Sequence, residues 1–132
     1  MRLMHMRKTV FVVGETTTPG INKGDLLFIG SGSGRTSSLL AMAQKAKQLG
    51  ARLILVTIDP QSPIGKLADC VVQIPAPSPK AHRNKALSRS IQPMGSLFEQ
   101  SLLLLLDSIV LLLMDKEKIN SDEMFESHAN LE

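Results

Sequence analysis

Residues 25–38 read Asp25-Leu26-Leu27-Phe28-Ile29-Gly30-Ser31-Gly32-Ser33-Gly34-Arg35-Thr36-Ser37-Ser38, and Leu39-Leu40-Ala41-Met42-Ala43 come directly after. A short apolar run, a Gly/Ser/Thr loop and a helix-forming segment in that order predict a strand, a turn and a helix opening on the turn. The first amides of a helix have no intrahelical acceptor, and the macrodipole adds partial positive charge there. Glycines let an anion approach the backbone, hydroxyls add donors, and Arg35 adds a cation. Ser31, Gly32, Ser33, Gly34, Arg35 and Thr36 are therefore the candidate phosphate cradle. No Gly-Lys-Ser/Thr closes the loop and no Gly-x-Gly-x-x-Gly is present, which disfavours triphosphates and dinucleotides and leaves a phosphate monoester. The competing reading is a plain connector in which Thr36 or Ser37 only caps the helix.

Outward from this loop the chain alternates. Thr9-Val10-Phe11-Val12-Val13 reads as a buried strand ended by Gly14, and residues 15–24 as a loop. The second strand is Leu26 to Ile29. A helix over about 36–49 carries Leu39, Ala43, Ala46 and Leu49 on one face, with Gly50 as its stop. A third strand spans Arg52 to Ile58, Asp59-Pro60 ends it, Ile64 to Ala68 forms one helical turn, and Val71 to Ile74 is a fourth strand. Uniformly apolar strands alternating with helices predict an α/β fold with a parallel sheet covered on both faces.

The remainder bounds the function classes. The 132 residues suit one domain, and 15 basic against 12 acidic side chains give a net charge of +3. That excess fits an anionic small molecule and is too slight for a nucleic-acid footprint. Without Trp or Tyr, and with four Phe, base-stacking platforms are disfavoured. The single cysteine, Cys70, reads as a small buried strand residue and fits a reducing, cytoplasmic setting. Met1 to Met6 read as the end of an amphipathic helix, with no signal peptide. Residues 75–90, with three prolines and the basic Lys80, Arg83, Lys85 and Arg89, form an exposed connection or a flap over substrate.

Residues 95–132 form a C-terminal helical segment. Leu102 to Leu106 and Ile109 to Met114 are apolar almost all round, which calls for partners on several faces. Asp107 and Ser108 interrupt the run, so the expectation is core plus subunit interface and no membrane span. Ser121 reads as the N-cap of a short last helix.

Glu99, at the start of the apolar helix and expected to be partly desolvated there, is the candidate general base. Ser96-x-x-Glu99 also matches a capping box, in which Glu99 would only satisfy backbone amides. His5 and His128 are candidate proton carriers or plain surface residues. No His/Cys/Glu spacing suggests a metal site.

Several segments resemble one family. Ser31 to Ser38 after a strand resembles the phosphate loop of SIS (sugar isomerase) domains. Met1-Arg2-Leu3-Met4-His5, Val13-Gly14-Glu15-Thr16, Ile64-Gly65-Lys66-Leu67-Ala68-Asp69, Ile91 to Gln100 and His128-Ala129-Asn130-Leu131-Glu132 resemble, more narrowly, the 6-phospho-3-hexuloisomerases. The resemblance implies a SIS-type, flavodoxin-like three-layer sandwich around a central parallel sheet. It also implies a sugar-phosphate site without metal or organic cofactor, and a homo-oligomer, commonly a tetramer. The family interconverts 3-hexulose 6-phosphate and fructose 6-phosphate through a cis-enediol, in the ribulose monophosphate route of formaldehyde fixation. By resemblance Ser31 to Thr36 hold the substrate phosphate, Glu99 moves the carbon-bound proton, and His5 or His128 serves the oxygens. Family members begin with a helix, a strand and a further Gly-rich loop, so residues 1–132 are expected to be one N-terminally shortened SIS domain. The alternatives are another SIS aldose–ketose isomerase, or a SIS module that binds sugar phosphate for sensing or oligomerisation without turnover.

Overall fold

The computed structural model describes residues 1–77 and 90–131. Most of the basic connection, including Lys80, Arg83, Lys85 and Arg89, lies outside the described residues. The chain divides into two compact units, Ile21–Leu103 and Met1–Gly20 with Leu104–Glu132.

The first unit is built on β1 (Leu26–Gly30), α2 (Ser37–Gln48), β2 (Arg52–Thr57) and β3 (Cys70–Gln73). The strands lie in the order β1-β2-β3, all parallel, with Leu27 beside Leu53, Gly30 beside Val56 and Thr57 beside Gln73. Side chains alternate across a strand. Leu27 and Ile29 of β1 therefore join Leu53 and Leu55 of β2 in a core that α2 covers with Ala43 and Ala46. Small residues on that helix face let it sit close to the sheet. Burial of Leu53 and Leu55, both fully enclosed, stabilises the unit by roughly 1.5–3 kcal/mol each. Gly30 points to the opposite face, where a Cβ would come within 2.7 Å of Leu102 in the first half of α3 (Ser96–Glu117). Helix, parallel sheet and helix give the expected three layers.

Asp69 locks this unit. Its carboxylate accepts both the Lys47 ammonium, at 2.6 and 2.7 Å, and the Leu53 N–H, at 2.7 Å. The hydrogen bond from Lys47, and then that from Leu53, hold its pKa below the usual carboxylate range.

In the other unit, α1 (Arg2–His5) and α4 (Ser121–Phe125) join the second half of α3. Arg2 pairs with Asp107 at 3.4 Å and Arg7 with Glu126 at 2.9 Å.

Four expectations are corrected. Thr9–Val13 is not a strand: the Val12 carbonyl accepts from Glu15 N–H and Thr18 Oγ1, closing a turn, and Val10 to Val13 are exposed. A β-branched run becomes a strand only when a neighbour takes its backbone groups, so the described residues hold three strands rather than four. Cys70 is exposed, at the start of the edge strand β3. The last helix is capped by Asn120, one residue before Ser121, because Glu123 completes a reciprocal capping box with it. Finally, α3 runs unbroken through Asp107 and Ser108 and is long and apolar enough to cross a membrane by length and composition. Asp107 is matched by Arg2, and Ser108 Oγ donates back to the Leu104 carbonyl at 2.8 Å, so neither polar residue interrupts the helix.

Candidate functional site

The carboxyl ends of parallel strands are where α/β sheets bind ligands, because their loops and helix N-termini converge there. Residues 31–36 occupy that end of β1. Ser31 is buried, its N–H donates to the Val56 carbonyl at 2.9 Å, and its hydroxyl accepts from Gly34 N–H at 3.1 Å. Gly34 has φ +59°, and a Cβ there would collide with the Ser62 hydroxyl. Only glycine satisfies both conditions.

The loop after β2 buttresses the cradle. The Gly32 carbonyl accepts from Ile58 N–H at 3.0 Å and from Thr57 Oγ1 at 3.1 Å, and the Gly34 carbonyl from Ile64 N–H at 3.2 Å. Gly65 of the Ile64–Asp69 motif is required because a Cβ would run into the Pro60 carbonyl. Thr57 and Ser62, both fully buried, belong to this support. Sequence pattern alone marks residues 57–62 only as a strand end and a turn. The signal for their role is position, since the loop after β2 must lie beside the loop after a parallel neighbour.

Thr36 occupies the N-cap of α2, but its hydroxyl makes no capping bond. The amides of Thr36, Ser37 and Ser38 have no acceptor among the described residues, and Thr36, Ser37 and Ser38 are exposed. The capping alternative is thereby set aside: the hydroxyls and amides at the mouth of the helix are all available to a ligand. Arg35 differs from expectation. Its guanidinium donates to Asp59 Oδ2 at 2.9 Å, so the cation of the loop is already paired.

Glu99 stands in the first turn of α3, in the same unit as the cradle. Its neighbour Phe98 is buried, and a Cβ on Gly32 would meet the Phe98 ring at 3.3 Å. The helix start is thus anchored on the loop of residues 31–36 itself. The capping box expected here is not formed. Ser96 donates both its N–H, at 3.1 Å, and its hydroxyl, at 2.6 Å, to the Pro93 carbonyl. The Glu99 carboxylate has no hydrogen bond or ion pair among the described residues and is exposed rather than desolvated. Gln92, from the same motif, donates its side-chain amide to Gln100 Oε1 at 2.8 Å, tying the loop before the helix to its first turn.

His5 and His128 belong to the other unit. Their ring centroids are 5.2 Å apart, and the His128 ring stacks on Phe125 at 5.7 Å. His128 Nδ1 lies 2.9 Å from the Ala129 carbonyl. A carbonyl only accepts, so this contact keeps a proton on Nδ1 and makes Nε2 the acceptor of the neutral ring. Residues at opposite ends of the sequence are thus brought together by the packing of α1 and α4. Among the described residues, no cluster of three or more His, Cys, Asp or Glu could hold a metal ion.

Comparison with known proteins agrees with this architecture. Residues 1–104 match the SIS domain family. The chain is 52% identical over 132 residues to the 3-hexulose-6-phosphate isomerase of Bacillus subtilis, covering all of this chain and 70% of that one. It is 46% identical to the 3-hexulose-6-phosphate isomerase of Mycobacterium gastri, covering 65% of its length. A crystal structure of a hypothetical protein from Methanococcus jannaschii, for which the function of a 3-hexulose-6-phosphate isomerase was inferred, superposes with a TM-score of 0.84 at 34% identity. The match covers 99% of this chain and 68% of that one. The chain thus spans about two thirds of the length of these relatives. A parallel sheet carrying a Ser/Gly loop at its carboxyl end, and a match over most of the chain, place it in the SIS-domain family, beside the 3-hexulose-6-phosphate isomerases.

Proposed function

We propose that this chain interconverts 3-hexulose 6-phosphate and fructose 6-phosphate. The observation that carries the reading is a carboxylate without a structural task, Glu99, on a helix whose preceding residue packs against the phosphate loop. A phosphate held by the amides and hydroxyls of residues 31–36 would fix the sugar at one end, and a base is then needed near its carbonyl carbons. Glu99 takes the proton from C2 of the 3-ketose, the electron pair of that C–H bond forms the C2–C3 double bond, and the former C3 carbonyl oxygen receives a proton. The resulting cis-enediol loses the proton of its C2 hydroxyl and gains one at C3 from the Glu99 carboxylic acid, which yields the 2-ketose. Nothing is oxidised or reduced overall. The resemblance assigns the oxygen protons to His5 or His128.

The protein acts as a cytoplasmic homo-oligomer, commonly a tetramer in this family, within formaldehyde fixation by the ribulose monophosphate route. Support for self-association comes from α3, where Leu104, Leu111 and Leu112 are each about two-thirds exposed. Apolar side chains clustered on a helix face are usually covered by another surface. Matched Asp107 and buried Val110 favour a protein partner over a bilayer. The test is formation of fructose 6-phosphate from 3-hexulose 6-phosphate by the full chain, measured in a coupled assay. Binding that raises the melting temperature without turnover would instead favour a sensing module.

A further inference from the structure

The ion pair between Arg35 and Asp59 deepens the sugar-phosphate reading, and the role assigned to Asp59 below rests on that reading. Arg35 is the one cation within residues 31–36. Its guanidinium is half-exposed, whereas the Asp59 side chain is only 20% exposed. Asp59 is also fixed. Its second oxygen accepts from Gln61 N–H at 3.0 Å, and its own N–H donates to Thr57 Oγ1 at 3.2 Å. The Thr57 hydroxyl in turn donates to the Gly32 carbonyl of the phosphate loop. A rigid carboxylate is thus built onto the rim of an anion cradle, where it repels a phosphate and occupies the loop's own cation. Among the described residues nothing else requires that charge, because a neutral amide oxygen could accept from Gln61 equally well.

We propose that Asp59 sets how tightly the loop holds phosphate. It keeps Arg35 in an ion pair, so the phosphoryl group is bound chiefly by backbone amides and hydroxyls and competes with Asp59 for the guanidinium. Substrate and product of the isomerisation carry the same phosphate. Extra affinity for it would stabilise substrate, transition state and product alike, which accelerates no chemical step and slows product release. A counter-charge that caps this affinity therefore suits an isomerase. Asp59 acts through Arg35 and is a positioning residue.

The test is titration calorimetry of the full chain with inorganic phosphate and with fructose 6-phosphate, at about 0.15 M salt to screen distant charges. The Asp59→Asn variant should bind both ligands about five- to tenfold more tightly, lowering KM without raising kcat. In an Arg35→Gln background the same change should gain less than about twofold, since no guanidinium remains to be released. A purely structural role would weaken binding in Asp59→Asn. That result, unchanged affinity, or an equal gain in both backgrounds would overturn the proposal. A wild-type chain that bound neither ligand would instead remove the sugar-phosphate reading, and this inference with it.

Discussion

Gly34 lies directly against Ser62: a Cβ on residue 34 would strike the Ser62 hydroxyl and come within 2.5 Å of Ser62 Cβ. Since Ser62 is fully buried and Gly34 has φ +59°, Gly34→Ala combines a steric clash with backbone strain. It should cost about 2–4 kcal/mol, read as a lower midpoint in urea unfolding. Ser62→Gly in the same chain should recover part of the loss. No recovery would show that the contact is not what fixes the loop.

Thr36→Val separates ligand binding from helix capping. Because the Thr36 hydroxyl makes no cap bond, the melting temperature should stay within about 2 °C of wild type. Affinity for fructose 6-phosphate should fall by roughly 10- to 100-fold, as expected for one lost hydrogen bond to a charged group. A drop in stability with unchanged affinity would restore the capping role.

Acid sensitivity should trace partly to Asp69. Lys47 and the Leu53 amide hold its pKa below the usual range in the folded chain. The folded carboxylate therefore binds its proton less tightly than the unfolded one, so its contribution is present above the unfolded pKa and is lost as pH falls through the folded value. The melting temperature of wild type should exceed that of Asp69→Asn at about pH 7, and the gap should close towards about pH 3. A gap independent of pH would show that the charge of Asp69 is not what the substitution removes.

The α/β core is legible in the sequence because its strands and helix carry their pattern locally: β1, α2 and β2 fall within one or two residues of the expected bounds. Thr9–Val13 departs from expectation for the opposite reason. Whether an apolar run becomes a strand depends on a partner elsewhere in the chain, which no local pattern records. The loop of residues 31–36 is legible from its glycines and its place between a strand and a helix. Its support is not, because the Thr57–Gly32 and Arg35–Asp59 contacts join segments about 25 residues apart. For Glu99, the Ser-x-x-Glu spacing fits both a cap and a free base, and only the geometry at Ser96 separates them.

Self-association should depend on the exposed face of α3. Leu104 and Leu111 lie two helical turns apart and share a helix face. Leu104→Glu combined with Leu111→Glu should convert an oligomer into monomers in sedimentation velocity. A wild-type chain that already sediments as a monomer would contradict the oligomeric reading.

If Glu99 moves a carbon-bound proton of a sugar phosphate held by residues 31–36, that proton must exchange with solvent or be carried between carbons by its carboxylate. NMR of fructose 6-phosphate incubated with the chain in D2O reads this step without a coupling enzyme. Wild type should place solvent deuterium at C3, and Glu99→Gln should slow this exchange at least about 100-fold while its melting temperature stays the same. Exchange at the wild-type rate in Glu99→Gln would contradict the role of Glu99 as the base.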